Sequence, residues 1–325
     1  MSEERETQLL ERLRAAAGQF VSGTELAELL GVSRAAVGKR VVALRSKGYD
    51  IEGVHNRGYR LAGEPDSLEP TAMARLLTTR WLGRVYFRHA MLPSTNDEAT
   101  RLAEDGAPHG TVVLAEEQSA GRGRLGRGWH SPAGECLHFS AVLRPALDPS
   151  AAPPLTLAAA VGVAEGVRGF VGRPPTLKWP NDLLYDGKKF CGILTEMSAE
   201  PGRIRHVIVG VGINVNLERL PPQLHESATS LRLARGEAMR RSLVLASVLG
   251  GLERWIERLQ TEGIAPVAEA WQGYADWLGR PVSVARPDGE LRGEALGLDE
   301  RGLLRVRRAD GTVEAVSAGD VTLLR

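Results

Sequence analysis

In residues 121 to 132, GRGRLGRGWHSP, four glycines and three arginines fall among the first eight positions. Glycine lets a backbone approach a ligand and turn successive N–H groups toward it, and arginine offers a forked donor to phosphate or carboxylate oxygens. Such a loop can hold an anion. Its first six letters also spell G-x-G-x-x-G, but a dinucleotide site needs a helix to follow, and here Pro132, Gly134 and a strand-like pattern come next. An RNA-binding RG-rich segment has a similar composition, although such segments are usually long and disordered. A solvated surface loop is the plain alternative.

Two further stretches carry polar groups at useful spacing. STND (94 to 97) reads either as a helix N-cap completed by Asp97 or as two hydroxyls and an amide facing a polar ligand. KWPNDLLYDGKK (178 to 189) gathers Lys178, Asn181, Asp182, Lys188 and Lys189 around a Trp-Pro turn, denser than turn chemistry requires. Asp182 could hold Mg2+ through water, as where one carboxylate and substrate phosphates share the metal.

These groups need a scaffold. TVVLAEEQ reads as a strand entering the loop and ECLHFSAVLRP as one leaving it; LTLAAAVGVAEGVRGF is an apolar helix. LLYDGKKFCGILTEM is a hairpin turning at Asp186-Gly187, and HVIVGVGINVN is a buried strand. Strands and helices do not alternate regularly, so the expected class is α+β with a mixed, mostly antiparallel sheet.

Before this region lies a helix, a turn and a second helix. Ser22 and Glu25 have capping-box spacing, Gly31 ends the first helix, and Ser33 caps the second. On the second helix Val37, Val41 and Leu44 share one face, while residues 34 to 47 hold five basic side chains and no acidic one. A solvated amphipathic helix is the plain alternative, but with the short GVS turn, the absence of acidic partners and a β-ribbon wing at YDIEGVHNRGYRL, the favoured reading is a winged helix-turn-helix that meets DNA. AGEPDSLEP (62 to 70) suits a linker. From about Gly279, short apolar runs separated by PDGE, DERG and ADGT predict a small β-barrel.

The totals set bounds. A length of 325 residues suits two or three domains at roughly 100–200 residues each. Hydrophobic residues at 43%, charged residues at 25% and a net charge of +1 are ordinary for a soluble chain. No apolar run approaches the ~20 residues of a membrane span. The charged N-terminus lacks an export pattern, so the expectation is a cytoplasmic protein with no membrane partner. Cys136 and Cys191 lie far apart without a metal-ligand or disulfide pattern and read as structural.

STND, EEQSAGRGRLGRGWHSP, KWPNDLL, KKFCGIL and VGVGINVN occur in an order that resembles the biotin protein ligases, and with the N-terminal module their bifunctional ligase and biotin-operon repressor class. The resemblance implies a winged helix-turn-helix at 1–65, a class II synthetase-like mixed α/β ligase domain at 66–277 and an SH3-like barrel at 278–325. It implies that ATP, Mg2+ and biotin give biotinyl-5′-adenylate, which a lysine of the biotin carboxyl carrier protein of acetyl-CoA carboxylase then attacks.

Carried over by position, Ser94, Thr95, Asn96 and Gln118 face biotin's ureido ring. Arg122, Gly123 and Arg124 form the ligand-binding core of the loop, with Arg122 at the acyl-phosphate and Arg124 retaining the adenylate. Lys189 holds the biotin carboxylate and the bridging oxygen. Trp129, Asn181 and Asn214 contact the nucleotide side, and Asp182 is the catalytic carboxylate and metal candidate. Ser33, Arg34, Lys39 and Arg40 are the expected DNA contacts, on an operator near biotin genes, in a homodimer that forms when adenylate is bound. Leu125, Gly128, His130, Cys191 and the wing's HNRG depart from the family's usual residues. Rival readings are a ligand-sensing repressor without catalysis and a lipoate or octanoyl ligase.

Overall fold

A computed structural model describes residues 2–149 and 152–324. Met1 and Arg325, the outer ends of the first and last expected domains, lie outside the described residues. The chain divides into two compact units, Met1–Ser67 and Leu68–Arg325.

In the first unit, helices α1 (Ser2–Ala15), α2 (Gly23–Leu30) and α3 (Arg34–Ser46) precede a ribbon of β1 (Asp50–Val54) and β2 (Gly58–Gly63). Ser22 Oγ accepts the Glu25 N–H at 3.1 Å, but the Glu25 carboxylate bonds Arg12, so the capping box is half formed. Gly31 ends α2 in the left-handed region at φ 59°, and Ser33 Oγ caps α3 by accepting the Ala36 N–H. Val37, Val41 and Leu44 are buried with Leu9, Leu13 and Leu26 in one small core. Arg45 donates to the Ile51 carbonyl at 2.8 Å and fixes the ribbon to α3.

The second unit opens with α4 (Pro70–Leu76), β3 (Tyr86–Leu92), α5 (Thr95–Glu104), β4 (Val112–Gln118), β5 (Cys136–Leu143) and α6 (Pro154–Val171). β6 (Thr176–Lys178), β7 (Asp182–Tyr185), β8 (Lys188–Glu200) and β9 (Arg203–Asn214) follow, then α7 (Leu231–Arg235), α8 (Arg241–Glu262) and α9 (Ala265–Gly273). The strands form one seven-stranded sheet, ordered β3-β4-β5-β9-β8-β7-β6. Only β3 and β4 run parallel, as the irregular order of strands and helices predicts.

α5 packs on one face of this sheet, over Val113, Val142 and Ile208. α6 and α8 lie on the other and cross closely at Gly162 and Gly251, where a methyl on Gly251 would stand 2.2 Å from the Gly162 carbonyl oxygen. The expectation that no apolar run reaches membrane length needs one correction. α6, at 18 residues, is long and apolar enough by composition, but it is 67% buried and serves as a core helix. β10 (Pro281–Arg286), β11 (Gly289–Leu298), β12 (Leu304–Arg307), β13 (Val313–Val316) and β14 (Asp320–Leu323) complete the chain as a five-stranded antiparallel sheet.

Candidate active site

A cleft of about 490 Å³ opens on the α5 face of the large sheet. Antiparallel register builds its floor, because residues directly opposite share a face. Gly210, Gly212 and Asn214 of β9 stand opposite Ser140, His138 and Cys136 of β5, and Gly192 of β8 stands opposite Gly212. Side chains from elsewhere fill the space these glycines leave. A methyl on Gly212 would lie 2.6 Å from the Trp129 indole, and one on Gly210 would lie 2.1 Å from Asn96 Oδ1. One on Gly192 would meet Lys189 Nζ at 2.9 Å. Glycine at these positions seats the ligand-facing residues.

At the α5 end the hydroxyls and amides form a continuous set. Ser94 occupies the N-cap position, but its hydroxyl makes no cap hydrogen bond, so the helix-cap reading of STND does not describe it. Thr95 donates from N and Oγ1 to Gln118 Oε1 at 2.8 and 3.1 Å. Ser140 Oγ lies 2.8 Å from Thr95 Oγ1 and donates to Asn96 Oδ1 at 2.6 Å. Asn96 Nδ2 donates to Glu196 Oε2 at 2.5 Å and to the Leu194 carbonyl at 3.4 Å. Both of its N–H donors are thus taken by protein. Asp97 pairs with Arg122, whose guanidinium holds the carboxyl below its usual range.

The glycine-arginine loop leaves β4 and reaches β5 without forming the helix a dinucleotide fingerprint needs. It is laced internally: Gly123 N–H donates to the Arg127 carbonyl at 2.7 Å and Trp129 N–H to the Gly121 carbonyl at 2.8 Å. Its arginines are all held by acids. Arg122 makes a bidentate pair with Asp97. Arg124 reaches the Gly319 carbonyl at 3.2 Å, Asn181 Oδ1 at 3.4 Å and Asp320 Oδ1 at 3.6 Å. Arg127 also pairs with Asp320. The loop is fastened at one end to α5 and at the other to the start of β14.

Opposite the loop, Lys189 Nζ lies 2.6 Å from Asp182 Oδ1 and 5.3 Å from the centre of the Trp129 ring. Lys178 Nζ stands 3.9 Å from Asp182 Oδ2. The Lys189 backbone exchanges hydrogen bonds with Ser227 and Thr229 at 2.8 and 2.9 Å, and Asn214 Nδ2 donates to the Thr229 carbonyl at 2.9 Å. Asn214 therefore holds the 227–229 segment against the site. Asn181 Nδ2 donates to the Ile193 carbonyl at 2.7 Å. Lys188 bonds the His225 carbonyl, outside the cleft lining.

All twelve expected ligand residues line this cleft: Ser94, Thr95, Asn96, Gln118, Arg122, Gly123, Arg124, Trp129, Asn181, Asp182, Lys189 and Asn214. Gly192, Gly210, Gly212, Leu217, Leu220, Leu224 and Asp320 also line it and escaped the sequence reading. The alternating glycines of GVGIN were a usable signal, since residues two apart share a strand face. Asp320 offered none, being 193 residues from Arg127. Among the described residues no three His, Cys, Asp or Glu side chains cluster as a metal cage. Asp182 is the one carboxylate of the expected set, and Lys189 Nζ stands 2.6 Å from its Oδ1 and Lys178 Nζ 3.9 Å from its Oδ2.

His138 is buried in this floor, and burial pushes its pKa down to about 4. Burial likewise pushes the Cys136 thiol up to about 12 and raises that of Cys191, in keeping with structural cysteines.

In the first unit, Ser33 caps α3, Arg34 and Lys39 are exposed, and Arg40 is half-buried with its NH1 on the Ala36 carbonyl. Among the described residues none of these three cations has an acidic partner, which leaves them available to an external polyanion.

Residues 89–214 match the Biotin/lipoate A/B protein ligase family, residues 5–60 an HTH domain, and residues 277–324 the Biotin protein ligase C terminal domain. The bifunctional ligase/repressor BirA of Bacillus subtilis is 39% identical over 317 residues, covering 97% of each chain. Its namesake from Escherichia coli is 32% identical over 310 residues, 94% of each chain. Among solved structures, the biotin protein ligase from Aquifex aeolicus in complex with biotin and ATP superposes with a TM-score of 0.65 at 29% identity, covering 74% of this chain and 99% of that one.

Proposed function

The chain belongs to the biotin protein ligases of the bifunctional ligase/repressor kind, and on that premise we propose how its residues divide the work. Biotin and ATP are the substrates. In the first step a biotin carboxylate oxygen attacks the α-phosphorus of ATP and pyrophosphate leaves. In the second, the lysine ε-amine of a biotin carboxyl carrier protein of acetyl-CoA carboxylase attacks the acyl carbon, loses a proton, and AMP leaves. Both steps build negative charge on oxygens, so fixed cations and oriented donors are the required tools.

Lys189 supplies the central cation, holding the biotin carboxylate and then the bridging oxygen. Asp182, 2.6 Å from Lys189 Nζ, is the carboxylate that would receive the incoming amine. Arg122 meets the acyl-phosphate, and Arg124 retains the adenylate under the loop. Ser94, Thr95 and Gln118 receive the ureido ring; Asn96, with its amide taken up by protein, shapes that end of the cleft. Trp129, Asn181 and Asn214 face or support the nucleotide side. Asp182 is the residue that would hold Mg2+, which when bound neutralises phosphate charge.

The winged helix-turn-helix unit binds operator DNA near biotin genes, with Ser33, Arg34, Lys39 and Arg40 at the phosphates and groove. Adenylate binding favours a homodimer that offers two recognition helices to a palindromic operator. The protein works in the cytoplasm, where ATP and the carrier are found.

The observation that carries this reading is the convergence of twelve residues, spread from 94 to 214, on one cleft. It is tested by incubating the protein with labelled biotin, MgATP and a carrier domain, and in parallel with labelled lipoate. The expected result is stable label on one carrier lysine from biotin alone. An unlabelled carrier overturns the transfer step, and lipoate label at equal rate moves the protein to the lipoate branch.

A further inference from the structure

The polar end of the cleft continues outward to two carboxylates that no ligand role accounts for. Glu196, on the outer part of β8, accepts Asn96 Nδ2 through Oε2 at 2.5 Å, and its Oε1 lies 3.5 Å from Arg122 NH2. Asp97, three residues past the N-cap position of α5, takes NH1 of the same arginine at 2.8 Å and pairs also with NH2. Arg122 lines both the cleft and a second hollow of about 380 Å³ behind it, which Asp97, Glu196, Met197 and His206 also line. The guanidinium is thus the wall between the two spaces, gripped from the outer one.

We propose that Asp97 and Glu196 are positioning residues for adenylation: they fix the plane of the Arg122 guanidinium, so that it meets a carboxylate-bearing substrate already oriented, and Glu196 also holds the Asn96 amide as part of the cleft wall. This deepens the ligase reading and rests on it. A bidentate carboxylate occupies one edge of the guanidinium fork and turns the remaining N–H groups in a fixed direction. Released, Arg122 is a long side chain with many rotamers, which the substrate would have to order on binding. The chain Thr95–Ser140–Asn96–Glu196–Arg122–Asp97 ties the polar lining of the α5 end to Arg122 through side chains alone.

Exposure separates this role from a structural one. The Arg122 side chain is 37% and that of Asp97 53% exposed, so the pair contributes little to folding. Its loss should appear in substrate affinity and leave thermal stability unchanged.

The test is biotin-dependent exchange of labelled pyrophosphate into ATP by the full-length protein, with KM for biotin and kcat measured separately, alongside thermal midpoints. Asp97→Asn keeps one acceptor oxygen and loses the fork; it should raise KM about tenfold and change kcat less than about threefold. Glu196→Ala should raise KM similarly, and Glu196→Gln, whose amide oxygen still accepts Asn96 Nδ2, should recover most of that loss. Asp97→Asn and Glu196→Ala with wild-type KM overturn the inference. So does an equal fall in kcat accompanied by a lowered midpoint, which marks a structural role. A wild-type protein without exchange removes the ligase reading itself, an outcome distinct from failure of the variants alone.

Discussion

The three candidate DNA-contact cations of α3 and the cations of the cleft are held in opposite ways. On α3, Arg34, Lys39 and Arg40 have no acidic partner among the described residues, and two of the three are exposed. Around the cleft, Arg122 is held by Asp97, Arg124 and Arg127 by Asp320, and Lys189 by Asp182. An unpaired cation in water attracts a polyanion at long range without specifying geometry. A paired one is already placed, and a ligand anion takes over or shares a position the protein has fixed. The difference suits a repressor that scans a charged polymer and an enzyme that must aim charge at one reacting oxygen.

The largest effect that sharpens this contrast is Lys189→Ala. Removing a cation aimed at developing charge should lower pyrophosphate exchange by about 10³-fold, while operator binding without biotin stays at its wild-type value. Loss of both together would break the contrast. Far smaller is the effect on α3: Arg34→Ala or Lys39→Ala should weaken DNA binding modestly and reduce the slope of log Kd against log salt by roughly 1 per contact removed. Equilibrium binding at several salt concentrations measures it. An unchanged slope would place α3 away from the phosphates, and exchange activity altered by the same substitutions would contradict the independence of the two sets of cations.

How far each region was legible follows from the range of its determinants. Caps are local, so Ser33 and Gly31 announced the ends of α3 and α2 and both act as read. Apolar runs placed β4, β5 and β9, and the hairpin at Asp186-Gly187 followed from turn chemistry, with Asp186 at φ 52° and Gly187 at φ 75°. Other features depend on partners distant in sequence. Glu25 fits a capping box by spacing but bonds Arg12, and Ser94 sits at a helix start without capping it. Asp97 reads as part of a helix cap and Asp320 as an ordinary surface acid until the loop folds against them.

The cleft glycines fall between these cases. Their alternation in β9 was visible, but its reason was not. Gly212 leaves room for the indole of Trp129, a residue that arrives from the loop between β4 and β5. His138 gave no signal at all as a buried imidazole, since its burial comes from strands on either side of β5.

The central claim is that this cleft activates biotin as its adenylate. Exchange of labelled pyrophosphate into ATP by the purified wild-type protein tests it without carrier, DNA or a variant. Label should enter ATP when biotin is present and fail to enter when biotin is withheld. Label that appears equally without biotin, or never appears, would contradict it.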